Sequence, residues 1–159
     1  MTNRTLTFVL LLFINNLCFA QIENATNFID FAQLSPQEKQ LSMANKSWKG
    51  IGTDQYVQDG KVYSDMNYSR TYQSNKYFLL RREVVDINNS INTAITKLTI
   101  NSETVFNKWL SEFKKAGINL KKVPDKENSW IELEKTNYVL TVEKRKIKDM
   151  WIYEFTMII

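Results

Sequence analysis

The chain contains no histidine and a single cysteine, Cys18, in 159 residues. Without imidazole there is no Ser-His-Asp triad, no Cys-His pair and no zinc site of the usual kind. Four glycines leave no room for a phosphate-cradling loop, which needs several at fixed spacing. Any catalysis would therefore rest on carboxylates, lysine, tyrosine or serine. The apolar run 6–14 falls short of the ~20 residues that cross a bilayer as a helix, so no transmembrane segment is expected.

What is present at the N-terminus reads as a leader. Arg4 precedes the apolar run 6–14, which the polar pair Asn15-Asn16 closes. Cys18-Phe19-Ala20 then sets small residues at positions −3 and −1 of a cut before Gln21, the layout of a cleaved secretory signal. Residues 1–20 are thus expected to leave, taking Cys18 with them and giving a periplasmic or secreted protein. A lipid-anchored reading of Cys18 asks for a small residue directly before it, and Leu17 stands there. The sequons at Asn24, Asn45, Asn67 and Asn88 carry little weight, because an Asn-rich chain produces such triplets by chance. An exported domain without disulfides must rely on its core, and small eukaryotic secreted domains more often carry bridges, so the chain leans toward a bacterial envelope.

The remaining 139 residues, 21–159, suit one domain. All four Trp and all seven Tyr fall in that part. The formal net charge of +4 drops to +3 once Arg4 leaves, too mild to argue for nucleic acid.

Residues 24–46 read as two short helices with a break at Ser35. Ser35 as N-cap, Pro36 at the first helical position and Glu38 reaching back make a capping box. Gly50-Ile51-Gly52 and Asp59-Gly60 punctuate a loop or hairpin region. Strand patterning covers 61–85, a turn follows over 86–90, and 93–100 reads as another strand. The spacing then predicts an amphipathic helix over 101–116. Val105, Phe106, Trp109, Leu110 and Phe113 form its stripe, Lys114-Lys115 end it and Gly117 follows. The tail is expected as a three-strand antiparallel meander. With Thr136-Asn137 as its first turn, Leu133 faces Leu140 and Ile131 faces Val142. Tyr138, Trp151, Tyr153, Phe155 and Met157 join that apolar side, while Trp130, Glu132, Glu134, Glu143, Glu154 and Thr156 fall on the other. The expected class is α+β: a mostly antiparallel sheet of about five strands, packed by helix 101–116 and the N-terminal helices.

Four constellations could carry chemistry. Glu132, Glu134 and Glu143, with Glu154 and Trp130 nearby, would place carboxylates about 7 Å apart along a strand, a spacing suited to acid/base work on glycans or to Ca²⁺. Alternating glutamates are equally the ordinary solvated side of a sheet. Lys144-Arg145-Lys146 with Lys148 could grip a phosphate-rich glycan, a lipid surface or an acidic protein, or could simply be a charged turn that discourages edge association. The tyrosines from Tyr56 to Tyr77, with Tyr63, Tyr68 and Tyr72 at their centre, offer a recognition surface, although strands favour Tyr in any case. Ser111-Glu112-Phe113-Lys114 matches the Ser-x-x-Lys of penicillin-interacting enzymes. It lies late in an amphipathic helix of a chain too short for that fold, and the companion motifs fail at Met66 and Asn137.

The expected role is an exported, non-enzymatic binding module that engages another macromolecule, an envelope protein or a toxin-like enzyme. A small hydrophobic ligand or lipid in an aromatic-lined cavity is the alternative, and a carboxylate enzyme acting on glycans comes third. No catalytic residue, metal or cofactor is assigned.

Overall fold

The computed structural model describes residues 22–44, 48–86, 92–132 and 137–159. The leader pattern, the turn region 87–91 and Glu134 lie outside these residues. Backbone contacts group the chain into two units, Met1–Ser47 and Trp48–Ile159.

The first unit carries helices α1 (Ala25–Gln33) and α2 (Pro36–Ala44). The Asn24 side chain caps α1 by accepting from the Asn27 N–H at 2.8 Å. At α2 the expected capping box forms: the Ser35 N–H donates to Glu38 Oε2 at 2.9 Å, and the Glu38 N–H to Ser35 Oγ at 3.4 Å. The Ser35 hydroxyl also donates to Glu38 Oε2 at 2.7 Å, and this bond, with that from the Ser35 N–H, favours the charged carboxylate, so Glu38 titrates below its ordinary value.

Among the described residues the second unit is one open sheet of eight antiparallel strands with one long helix. Its strands are β1 (Lys49–Gln58), β2 (Lys61–Tyr72), β3 (Asn75–Asp86), β4 (Asn92–Ile100), β5 (Lys121–Lys122), β6 (Ser129–Glu132), β7 (Val139–Ile147) and β8 (Met150–Ile158). They are ordered β1-β2-β3-β4-β8-β7-β6-β5. The α+β class stands, but the expected count of about five strands does not. Of the loop or hairpin region expected around Gly50-Ile51-Gly52 and Asp59-Gly60, the hairpin forms, turning at Asp59-Gly60, while Gly50 and Gly52 sit at a bulge within β1. The stretch 61–85 is two strands because Gln73 and Ser74 turn the chain with φ of 47° and 64°. That turn needs positive φ at both central positions, and here neither is Gly, Asn or Asp, so the sequence gives no turn signal.

Helix α3 (Glu103–Lys115) begins at the Ser102 cap and ends at Ala116, with Gly117 at φ 73° beyond it. It buries Phe106, Trp109 and Phe113 against the sheet. Phe106 stacks on Tyr153 at 4.5 Å, and Trp109 and Phe113 meet Phe155 at 5.0 and 5.7 Å. Leu79, Leu98, Ile100, Leu140, Val142 and Met157 share this covered face by their registers and are buried.

The tail register differs from the expected one by a single residue. Trp130 faces Val142, Ile131 faces Thr141 and Glu132 faces Leu140. The shift turns Trp130 toward α3, 6.1 Å from the Phe106 ring, and sends Ile131 to the opposite face. Indole is the larger apolar group, so packing it toward the helix in place of Ile131 covers more apolar area, although Trp130 stays half-buried. Glu132 is carried inward with it and is only 1% exposed.

Candidate functional site

The observed register separates Glu132 from Glu143, and Glu134 lies outside the described residues. Glu132 lies on the covered side of the sheet, whereas Glu143 lies on the open side directly opposite Glu154. Glu154 is itself buried and neutralised: Arg145 reaches its Oε1 at 2.9 Å, Lys97 at 3.9 Å, and the Thr99 hydroxyl donates to it at 3.3 Å. Buried charge needs such partners, so this cluster reads as a structural ion-pair network. Among the described residues no group of three or more metal-ligating side chains comes together.

The tyrosines also divide, because strand residues alternate between faces. Tyr63 is on the open face of β2; Tyr68 and Tyr72 are on the other. The Tyr68 hydroxyl donates to Met66 Sδ at 3.6 Å. Arg70 lies over the Tyr72 ring at 4.6 Å and the Trp48 ring at 5.9 Å. Tyr77 is buried with the core.

The open face of β1 to β3 holds the best-organised surface cluster. Tyr56 and Tyr63 stand opposite each other across the β1–β2 hairpin and stack at 4.9 Å with their planes 8° apart. Beside them Arg82 makes a two-pronged ion pair with Asp65, Nε and an Nη each donating to a carboxylate oxygen at 2.7 Å. The same guanidinium lies 5.6 Å from the Tyr63 ring centre. The Asp65 bonds push the Arg82 pKa further up, so the cation is permanent. Following the registers inward, Tyr63 is succeeded by Val84, while Arg82 is succeeded by Ile95, Ile158 and Val139. This is an apolar strip, where the sequence suggested a polar face.

Among the described residues β1 itself is the long edge of the sheet. All ten of its residues are exposed, with Ile51 at 53% and Val57 at 68%. At the other end of the sheet, β5 has two residues.

The basic hairpin joins β7 to β8. Lys144 pairs with Glu103 at 3.0 Å, which raises its pKa, and its ammonium sits 4.5 Å from the Trp151 ring centre. Lys146 faces Trp151 across the ladder. In the helix–sheet interface the rings of Phe106, Trp109, Phe113, Tyr153 and Phe155 meet one another. An open depression of about 430 Å³ lies along Lys122 to Glu127, and no aromatic lines it.

Sequence reasoning pointed to Tyr63 but missed Asp65, Arg82 and β1 as an edge. A signal for the stack was present: a two-residue turn at Asp59-Gly60 obliges Tyr56 and Tyr63 to face each other. No protein-family model, curated protein or solved structure matches the chain.

Proposed function

We propose that the protein is an exported, non-enzymatic binding module whose partner is another protein of the envelope or medium, met along β1. The observation that carries this reading is a ten-residue edge strand with every residue exposed. A long edge presents unpaired backbone donors and acceptors, which monomeric proteins normally blunt or cover. An extended partner segment added there would gain main-chain hydrogen bonds, and its alternate side chains would fall on the Tyr56–Tyr63 platform. The Arg82–Asp65 pair holds Tyr63 in place before a partner arrives, which lowers the ordering cost of association. Export rests on the leader pattern of residues 4–20.

The test is a pull-down from envelope and medium with tagged 21–159, run beside an Ile51→Lys/Val57→Lys double variant. Both side chains are exposed, so the variant should melt within a degree or two of the parent. The expected result is a stoichiometric protein held by the parent and lost by the variant, with the native chain recovered from the same fractions beginning at Gln21. Equal capture by both proteins, or none by either, rejects the β1 reading.

A further inference from the structure

The β7–β8 hairpin outruns the sheet that carries it. On one side β4 pairs with β8 only as far as Tyr153. On the other, the last bond from the β6 side is the Lys144 N–H to the Asn128 carbonyl at 2.9 Å. Among the described residues, 145–152 therefore have no strand beside them and stand out as a two-stranded arm. Three residue pairs, Arg145/Ile152, Lys146/Trp151 and Ile147/Met150, lead to the Lys148-Asp149 turn. At 3.4 Å per residue the arm projects about 10 Å.

Its composition is what a water-facing turn avoids. Ile147, Met150 and Trp151 are 40%, 62% and 40% exposed, and by alternation they cover both faces of the arm. Cations collar them. Lys144 and Arg145 at the base are tied to Glu103 and Glu154, but neither Lys146 nor Lys148 meets a carboxylate among the described residues. Asp149 is the only acid in the arm. A turn meant only to prevent association would need the charges and not the apolar tip.

We propose that this arm docks the protein on an anionic phospholipid surface. The apolar tip would enter the boundary between headgroups and acyl chains, which lies about 5–10 Å deep for peripheral elements. That depth matches the length of the arm. Trp151 takes the headgroup level preferred by indole, and Lys146 and Lys148 meet lipid phosphates. An acidic protein would satisfy the lysines but leave Ile147, Met150 and Trp151 without an apolar host. The proposal shares no residue with the β1 reading and stands whether or not that reading holds.

The experiment is co-sedimentation of 21–159 with vesicles of pure phosphatidylcholine and of equimolar phosphatidylcholine and phosphatidylglycerol. Binding is expected on the anionic vesicles, much weaker on the neutral ones, and falling as salt rises. Lys146→Gln with Lys148→Gln should lower the partition coefficient about 25-fold, since each near-surface cation is worth about fivefold. Met150→Ser with Trp151→Ser should lower it comparably while leaving the charge intact. Both variants change exposed side chains, and an unchanged melting temperature confirms folding. No binding to anionic vesicles, or binding that survives both variants, overturns the proposal. So does equal binding by soluble polyglutamate with the Met150→Ser/Trp151→Ser variant unaffected, which would assign the arm to an acidic protein.

Discussion

Arg82 shows how much one side chain can organise. Its guanidinium meets both oxygens of Asp65 at 2.7 Å while lying over Tyr63. Asp65 is buried and Arg82 only partly so, which makes the pair stronger than an exposed bridge yet short of a fully buried one. Lysine carries the same charge but cannot make the fork. Arg82→Lys, which keeps the charge but loses one prong, should therefore cost about 1.5–2 kcal/mol in urea unfolding, the low end of the range for hydrogen bonds to charged groups; a loss below a few tenths would show the pair to be incidental. None of this could be read before the fold. Asp65 and Arg82 are opposite only because the chain reverses at Gln73-Ser74, and nothing in those two residues announces a turn. Glu132 failed differently. Its place on one face with Trp130 was legible, but whether the indole or Ile131 faces the helix turns on one residue of register. Packing against Phe106 decides that.

At the scale of elements, the parts that local chemistry specifies were legible. The capping box at Ser35 and Glu38, the Ser102 cap, the stripe of α3 and the Gly117 stop all form as their spacing requires. The two N-terminal helices break where the Ser-Pro pair demands. What escaped was strand number, because β1 is read through its glycines and the β2–β3 hairpin has no glycine at all. That second omission makes a prediction. Gln73 and Ser74 occupy left-handed backbone, which costs non-glycine residues roughly 1–2 kcal/mol each and Asn and Gly much less. Replacing the pair with Asn-Gly should raise stability by about 1 kcal/mol. An unchanged or lowered denaturant midpoint would mean that the Gln73 Nε2 to Tyr72 hydroxyl bond, at 3.3 Å and lost in the variant, already offsets the strain.

For the whole molecule, the missing histidines govern the response to pH. With no imidazole to titrate near neutrality, stability should be nearly level from about pH 6 to 9. It should fall at both ends. Burial raises the Tyr138 and Tyr153 phenols, helped by Glu132 and Glu103 respectively. Their contribution is complete below the ordinary phenol value of about 10 and is lost as pH rises through the folded-state values. At the acid end, Glu38 is depressed by its bonds to Ser35. What it adds to α2 is present above its ordinary value and fades as pH falls through the lowered one. A thermal-melt series across pH should show this plateau, and Tyr138→Phe with Tyr153→Phe should extend its alkaline edge; a transition near pH 6.5 would contradict it. The two rims of the sheet are unequal, ten residues at β1 against two at β5. A strand accepted at the long rim cannot be relayed through the body and offered again at the short one. If β1 accepts a strand as proposed, the molecule would act as a chain terminator: the two-residue rim at β5 offers no comparable edge, and complexes should stay discrete, not grow into fibres.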